Sequence, residues 1–372
     1  MAKMIGIDIG AVEVRAVEIA GVGPDGFAIV TRIGVGFLPE GAVVGGRIRQ
    51  PEIVAQVLVR ALKDGGISRY GVIIGMANPD IAIQKMLLPA SVRRDERISA
   101  VRALGRPISS TIELEESAIS SALVSVTPSV EGIPMATVDI VAAKQSEVDA
   151  ILKVCKIAKV VPRAVDLTGA ALLRSLTRAN AQSGEVGTVV DIGASKVTVS
   201  TRQGSNLRSV RTTLGGGADL TRAIMTVTGE SFIDAERRKL TMRVGNNVRQ
   251  ALSGGYVDDA DEIKVVRNAI DDALNNAVDA LVESIGQSIE ADSVNNGSYT
   301  QVVTLCGGTT LLRGLKDKIQ SRVGVPVAIG RPWVEIERTK KNARYFIEGR
   351  PDPRVLLSIA AAAGLALWRE PA

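Results

Sequence analysis

Two aspartates sit in near-identical settings: Asp8 in "MIGIDIGAVEVRAVEI" (Met4–Ile19) and Asp191 in "TVVDIGASKVTVS" (Thr188–Ser200). In each, an apolar strand ends in Asp-x-Gly and a second strand follows. Gly10 and Gly193 have no Cβ, so the turn backbone can approach a ligand closely. With Ala11, Ala194 and Ser195 beside them, they form amide nests suited to phosphate oxygens. Asp8 and Asp191, at the strand ends, can share a hydrated Mg²⁺, which keeps several waters and takes few carboxylates. A single copy would read as an Asx hairpin turn. Two copies in matching contexts point to an internal duplication around one phosphate and metal site.

Three further stretches carry compatible chemistry. "LGGGADLT" (Leu214–Thr221) supplies Gly215, Gly216 and Gly217 after a strand. "CGGTTLLRGL" sets Gly307, Gly308 and Thr309 between a buried strand and a helix start, where backbone donors and the dipole favour a nucleotide. "AERRKL" spaces Glu236 and Lys239 three apart, hence on one helix face. Taken singly these are a flexible loop, a helix-packing turn and a solvated ion pair. GxxxxGK[ST] does not occur, and the one GxGxxG, "GVGPDG" at Gly21–Gly26, is a turn between two strand-like stretches and opens no helix, so neither a P-loop nor a Rossmann site fits.

The elements that must position these residues alternate between strand and helix, the mark of an α/β protein. "MIGIDIG", "VEVRAVEIA" and "FAIVTRIGVGFL" read as successive strands. "PEIVAQVLVRALKDGG" reads as a helix opened by Pro51 and stopped by Gly65–Gly66, and "YGVIIGMA" as a buried strand. "LLPASVRRDERISAVRALGRP" reads as a basic, helix-like stretch between prolines, and "MATVDIVAAKQSEVDAILKVCKIAKVVP" as strand then helix. Strands surround the second Asp-Ile-Gly-Ala, a largely helical region runs from about Thr221 to Asn296, and "QVVTLCGGTTLLRGLKDKIQSRVGVPVAIG" gives strand, turn, helix and strand.

Composition narrows the chemistry. The 372 residues are 46% apolar but only 3% aromatic, so the core is aliphatic. A net charge of +5, spread along the chain, gives no basic patch for nucleic acid. Histidine is absent, which excludes His-based metal sites and general bases. Cys155 and Cys306 are too few for a metal cluster and read as reduced core residues of a cytoplasmic protein. The start enters a strand without a signal-peptide pattern. The longest apolar run, "VLLSIAAAAGLALW", is about 14 residues, too short to span a bilayer.

The joint order of these motifs resembles the actin-like ATPase superfamily of actin, the seventy-kilodalton chaperones and sugar kinases. That resemblance implies an α/β fold of two related domains around a nucleotide cleft that takes ATP and Mg²⁺. "GIDIGAVEVR" and "VVDIGASKVT" look like its two phosphate loops, "VVTLCGGTTLLRGL" like its adenosine motif, and "AERRKL" like the helix whose Glu236 and Lys239 meet ribose and adenine. Asp191 and Asp166 are the candidate catalytic residues. Asp166 either orients an attacking water or caps the next helix.

Within the superfamily the chain is similar to the PilM family of type IV pilus machines, and next to the cell-division protein FtsA. The stretches "VVPRAVDLTGAALLR" and "SIAAAAGLALWRE" carry this likeness, with "GIDIG…VRAVEI". It implies a first domain over 1–80, an FtsA/PilM-type inserted subdomain over 81–162, and a return to the first domain over 163–184. The second domain would cover 185–220, its helical subdomain 221–299 and its adenosine region 300–336, with 337–372 closing the first domain. The chain departs from the family at Ala11, Val12 and Glu13, where small hydroxyl residues are usual. Glu13 would bring negative charge to the phosphates unless strand alternation turns it away.

The implied function is an ATP-binding scaffold of pilus assembly, held to the inner membrane only through a partner. That partner is the N-terminal cytoplasmic tail of a PilN-like membrane protein, docked between the N-terminal strands and the inserted subdomain, near 93–110. Other pilus assembly proteins and self-association are further expected contacts, and hydrolysis is left open as weak ATPase activity. An FtsA-like division role and a small-molecule kinase are the alternatives. Arg93, Arg94, Arg97, Arg102 and Arg106 read as a solvated helix face or a basic docking face, and Lys196 as a phosphate contact or a surface strand residue.

Overall fold

A computed structural model describes residues 3–104, 117–127, 132–177, 184–245 and 259–370. Arg106 and the rest of the 105–116 stretch lie outside the described residues. The chain opens with β1 (Met4–Ile9), β2 (Glu13–Val22) and β3 (Ala28–Phe37), then a small hairpin of β4 (Val43–Val44) and β5 (Arg47–Ile48). Helix α1 (Pro51–Gly65) starts on its proline and ends where Gly66 adopts the left-handed conformation. β6 (Tyr70–Met76) follows, then β7 (Ile81–Pro89), α2 (Arg97–Ala103), β8 (Ser117–Thr127), β9 (Met135–Lys144) and α3 (Gln145–Ala158). β10 (Val161–Leu167) and α4 (Thr168–Leu176) close the first half.

The second half runs β11 (Val186–Ile192), β12 (Lys196–Gln203), β13 (Asn206–Leu214), α5 (Gly217–Thr228), α6 (Phe232–Thr241) and α7 (Asp259–Asn296). Next come β14 (Val302–Cys306), α8 (Leu315–Val323), β15 (Val327–Ile329), β16 (Val334–Ile336) and α9 (Pro353–Ala366).

The duplication is written into the sheets. The first has the order β10-β6-β1-β2-β3-β16 and the second β13-β12-β11-β14-β15. In each, three sequential antiparallel strands lead, and the first of them pairs in parallel with a later strand on its other side. β10 and β15 extend the parallel side of each sheet. Apolar side chains from β1, β2, β6 and α1 fill one core, and those of β11, β12, β14, α5 and α7 fill the other.

Between the sheets lie α4 and α9. The alanine run Ala360–Ala363 of α9 is buried, and Leu172, Leu176, Val189, Leu357 and Cys306 join the two halves through one apolar cluster. Small residues allow this close approach: a Cβ on Gly364 would fall 1.8 Å from the Ala171 carbonyl oxygen. Among the described residues no helix is long and apolar enough to cross a membrane.

Between β6 and β10 the chain forms a separate antiparallel sheet, β7-β9-β8. Here the structure corrects the sequence reading. Leu87–Pro89 belongs to a strand, and the helix in the basic stretch covers only Arg97–Ala103. Nor is the arginine cluster an open basic face: Arg93 pairs with Glu96 at 2.7 Å, Arg94 with Glu370 at 3.3 Å, and Arg102 donates to the Ser117 carbonyl at 3.1 Å.

Candidate functional site

The two Asp-Ile-Gly-Ala turns have the same backbone construction. Gly10 N–H donates to the Glu13 carbonyl at 2.9 Å, and Gly193 N–H to the Lys196 carbonyl at 3.0 Å. The register is the same too: Asp8 lies opposite Arg15 and Asp191 opposite Thr198. Asp8 is buried. Burial raises the pKa of the Asp191 carboxyl, Lys196 opposes this, and the nearby charge of Asp8 adds to the rise. The charge of Asp8 thus weighs on the Asp191 carboxylate, and a hydrated divalent cation between the two strand ends would relieve it. The fit to Mg²⁺ rests on that electrostatics.

Cations already reach the site from both sheets. Arg15 Nη2 pairs with Glu13 at 2.6 Å, and Arg15 Nη1 stands 3.8 Å from Asp8 Oδ2. Glu13 therefore faces the same side of β2 as Arg15 and Asp8, so alternation does not turn it away. Lys196 is not a surface residue. It is buried, and its Nζ crosses from the second sheet to donate to the Ala77 carbonyl at 3.1 Å. Gly45 N–H in the β4–β5 turn likewise donates to Ser195 Oγ at 3.2 Å. The sulfur of Cys306, a buried free thiol, lies 3.8 Å from Asp191 Oδ1.

The glycine triplet, the β14 turn and the AERRKL helix converge on the second of these turns. Gly215, Gly217 and Ala218 donate backbone hydrogen bonds to the carbonyls of Ser195, Gly193 and Ala194. Thr309 Oγ1 donates to the Gly193 carbonyl at 3.2 Å. Gly217 must be glycine here, since a Cβ would sit 2.3 Å from Thr309 Oγ1. Gly307 has φ 87° and a Cβ there would sit 2.5 Å from Asp191 Oδ1. Gly308 begins the short 3₁₀ turn and has open space around it.

Glu236 and Lys239 do share a face of α6, but not as a solvated pair. Lys239 is buried, and its Nζ donates to Glu236 Oε2 at 2.7 Å, the Gly217 carbonyl at 2.8 Å and Thr221 Oγ1 at 2.9 Å. Burial lowers its pKa, with Glu236 pulling the other way. The arrangement is a polar wall: a half-exposed carboxylate, a hydroxyl and fixed backbone groups beside the glycine loop, able to hydrogen-bond hydroxyls or ring nitrogens of a ligand.

Asp166 stands apart. It lies on β10, and its carboxylate pairs with Arg174 of α4. The residue before α4 is Leu167, with no side-chain cap, so the helix-cap reading of Asp166 is wrong. Residues missed in the sequence are Arg15, Thr221 and the bridging role of Lys196. Arg15 was within reach: it is the hairpin partner of Asp8.

A family model described as "Type IV pilus assembly protein PilM" matches residues 6–370. The chain belongs to the PilM family. Among solved structures, a PilM–PilN type IV pilus biogenesis complex aligns at 22% identity over 98% of each chain, with a TM-score of 0.77. The ethanolamine utilization protein EutJ of Carboxydothermus hydrogenoformans aligns at 13% identity over 99% of this chain and 90% of its own, with a TM-score of 0.52. These likenesses bear on the fold, which is actin-like. The PilM-family chain is thus an actin-like protein of pilus assembly, as the likeness of "GIDIG…VRAVEI", "VVPRAVDLTGAALLR" and "SIAAAAGLALWRE" led us to expect.

Proposed function

We propose that this PilM-family protein binds Mg²⁺–ATP in the cleft between its two sheets and serves as a nucleotide-responsive scaffold. The observation that carries the reading is the pair of identically built glycine turns, each behind an aspartate, with the Asp8 and Asp191 carboxylates near enough to repel. In this reading Ala11, Ala194 and Ser195 offer backbone donors to phosphates, while Gly10, Gly193 and Gly215–Gly217, whose own N–H groups are bonded within the site, let the phosphates come close. Glu236, Lys239, Gly307, Gly308 and Thr309 receive the nucleoside, and Asp8 and Asp191 hold the cation's water shell. When bound, Mg²⁺ would neutralise phosphate charge; Asp191, and more remotely Asp166, would orient water if hydrolysis occurs.

The partner in this reading is the short N-terminal tail of a PilN-like inner-membrane protein, which brings the scaffold to the cytoplasmic face of the membrane. A groove between the first sheet and the β7-β9-β8 sheet is the proposed dock, because an extended peptide can add to a sheet edge. Calorimetric titration should show Mg²⁺–ATP binding and a raised melting temperature, with most of the shift lost in Asp8→Ala and Asp191→Ala. A synthetic tail of the membrane protein encoded alongside should bind the intact chain. Folded wild type that ignores that tail but transfers phosphate from ATP to a small hydroxylated metabolite would overturn the scaffold in favour of a kinase, and folded wild type that binds no ATP would overturn the nucleotide site.

A further inference from the structure

The two turns are equivalent in backbone but opposite in charge at one position. Gly10 N–H bonds to the carbonyl of Glu13, and Gly193 N–H to that of Lys196, so an acid and a base occupy the same place in the two copies. Glu13 spends its carboxylate on the nearest cation of its own turn, Arg15, at 2.6 Å. Arg15 is in turn the residue opposite Asp8, and its Nη1 lies 3.7 Å from where a Cβ on Gly10 would stand. The guanidinium therefore rests beside the glycine whose backbone faces the cleft. Only about a fifth of each side chain is exposed, 20% for Arg15 and 22% for Glu13. The Arg15 Nε is buried without a hydrogen-bond partner, so the guanidinium, held by Glu13 at Nη2 and with Asp8 3.8 Å from Nη1, has a donor to spare.

We propose that Glu13 is an internal competitor anion of the first turn: its carboxylate occupies Arg15 as an incoming polyphosphate would, and a nucleoside polyphosphate binds only by displacing it. This inference rests on the nucleotide-binding reading above. A solvated ion pair of this kind would be worth little. The half-buried setting makes it matter, because a charge-assisted bond shielded from water is stronger and its loss is felt. Displacement costs the ion pair and leaves the Glu13 carboxylate beside phosphate charge. Neutralising Glu13 removes both costs at once and leaves Arg15 free to meet the ligand.

The test is titration of Mg²⁺–ATP, and of pyrophosphate without metal, into wild type, Glu13→Gln and Glu13→Ser. Both variants should bind each ligand about tenfold more tightly, roughly 1.4 kcal/mol. Two substitutions of different size guard against a folding failure of either, and ligand-free melting curves check the fold. Repeating Glu13→Gln in an Arg15→Met background separates clamp from repulsion: the gain should shrink there to the part that repulsion alone supplies. If wild type binds ATP and neither Glu13 variant binds tighter, or the gain is undiminished without Arg15, the competitor role is overturned while nucleotide binding stands. Binding by the variants but not by wild type would support both. Folded wild type and variants that all ignore ATP would overturn both.

Discussion

At the scale of single residues, Asp191 shows what the site costs the ligand-free protein. Its carboxyl is held above the ordinary carboxylate range near 3.8 by burial first and by Asp8, against the pull of Lys196 and Arg15. Folding therefore favours the protonated form. The native state keeps that advantage below about pH 4 and loses it as the pH rises and the carboxyl ionises. Asp191→Asn should accordingly melt higher than wild type at pH 7–8 without nucleotide, show no such gain near pH 3.5, and lose the Mg²⁺–ATP shift. Melting curves across pH check this; equal melting temperatures at pH 7.5 would show that Lys196 and Arg15 fully compensate the burial. Lys196 carries the same lesson, since its partner, the Ala77 carbonyl, is not predictable from its own strand.

At the scale of elements, the β4–β5 hairpin is a strap between the second Asp-Ile-Gly turn and the base of the β7-β9-β8 sheet. Its two-residue turn is Gly45-Gly46, both with positive φ, as a tight hairpin of this hand requires. Gly46 fits against the Ala77 carbonyl, where a Cβ would fall 1.8 Å away. On one side Gly45 N–H donates to Ser195 Oγ. On the other Arg47 Nε donates to Asp80 Oδ2 at 3.1 Å and lies 3.5 Å from Glu147 Oε1. Removing Arg47 leaves Asp80 with Lys144 at 3.6 Å. Arg47→Ala should destabilise this junction by about 1–2 kcal/mol, since two mostly buried carboxylates lose their shared cation. Hydrogen exchange should then speed up at Asp80 and the start of β7 while α9 is unaffected. Unchanged exchange there would show that the strap adds nothing to the hold on this sheet.

At the scale of the whole molecule, the two halves meet through α4 and α9 at a distance set by small side chains. Gly364 lies against Ala171, and Gly6 of β1 against Ala362, where a Cβ would stand 2.0 Å from the carbonyl oxygen. Neither contact has room for a methyl group without moving a helix, and both helices are fixed by the cores on either side. Gly364→Ala should cost about 3 kcal/mol, a fall of roughly 4 °C in melting temperature. Calorimetry would check this, and a fall below about 1 °C would show that α4 and α9 can slide apart freely. The alanine-rich run that looked too short to span a bilayer is the buried helix α9 between the two sheets.

The sequence by itself determined what repeats and what is local. The Asp-Ile-Gly-Ala pair disclosed the duplication because each turn's geometry is encoded within a few residues, by one glycine and the alternation around it. Pro51 and Gly66 marked α1 for the same reason. The inserted sheet was less legible: β8 reads "SAISSALVSVT", a serine-rich strand whose one good neighbour, β9, comes later in the chain. Partners outside a residue's own element were not legible. Lys196 bonds to Ala77, Asp166 pairs with Arg174, and Lys239 ties the glycine loop to α6 because segments far apart in sequence approach in the fold. Periodicity tells a side chain which face it takes, but burial and opposing charge depend on what the rest of the chain places across that face, and only the tertiary structure decides this.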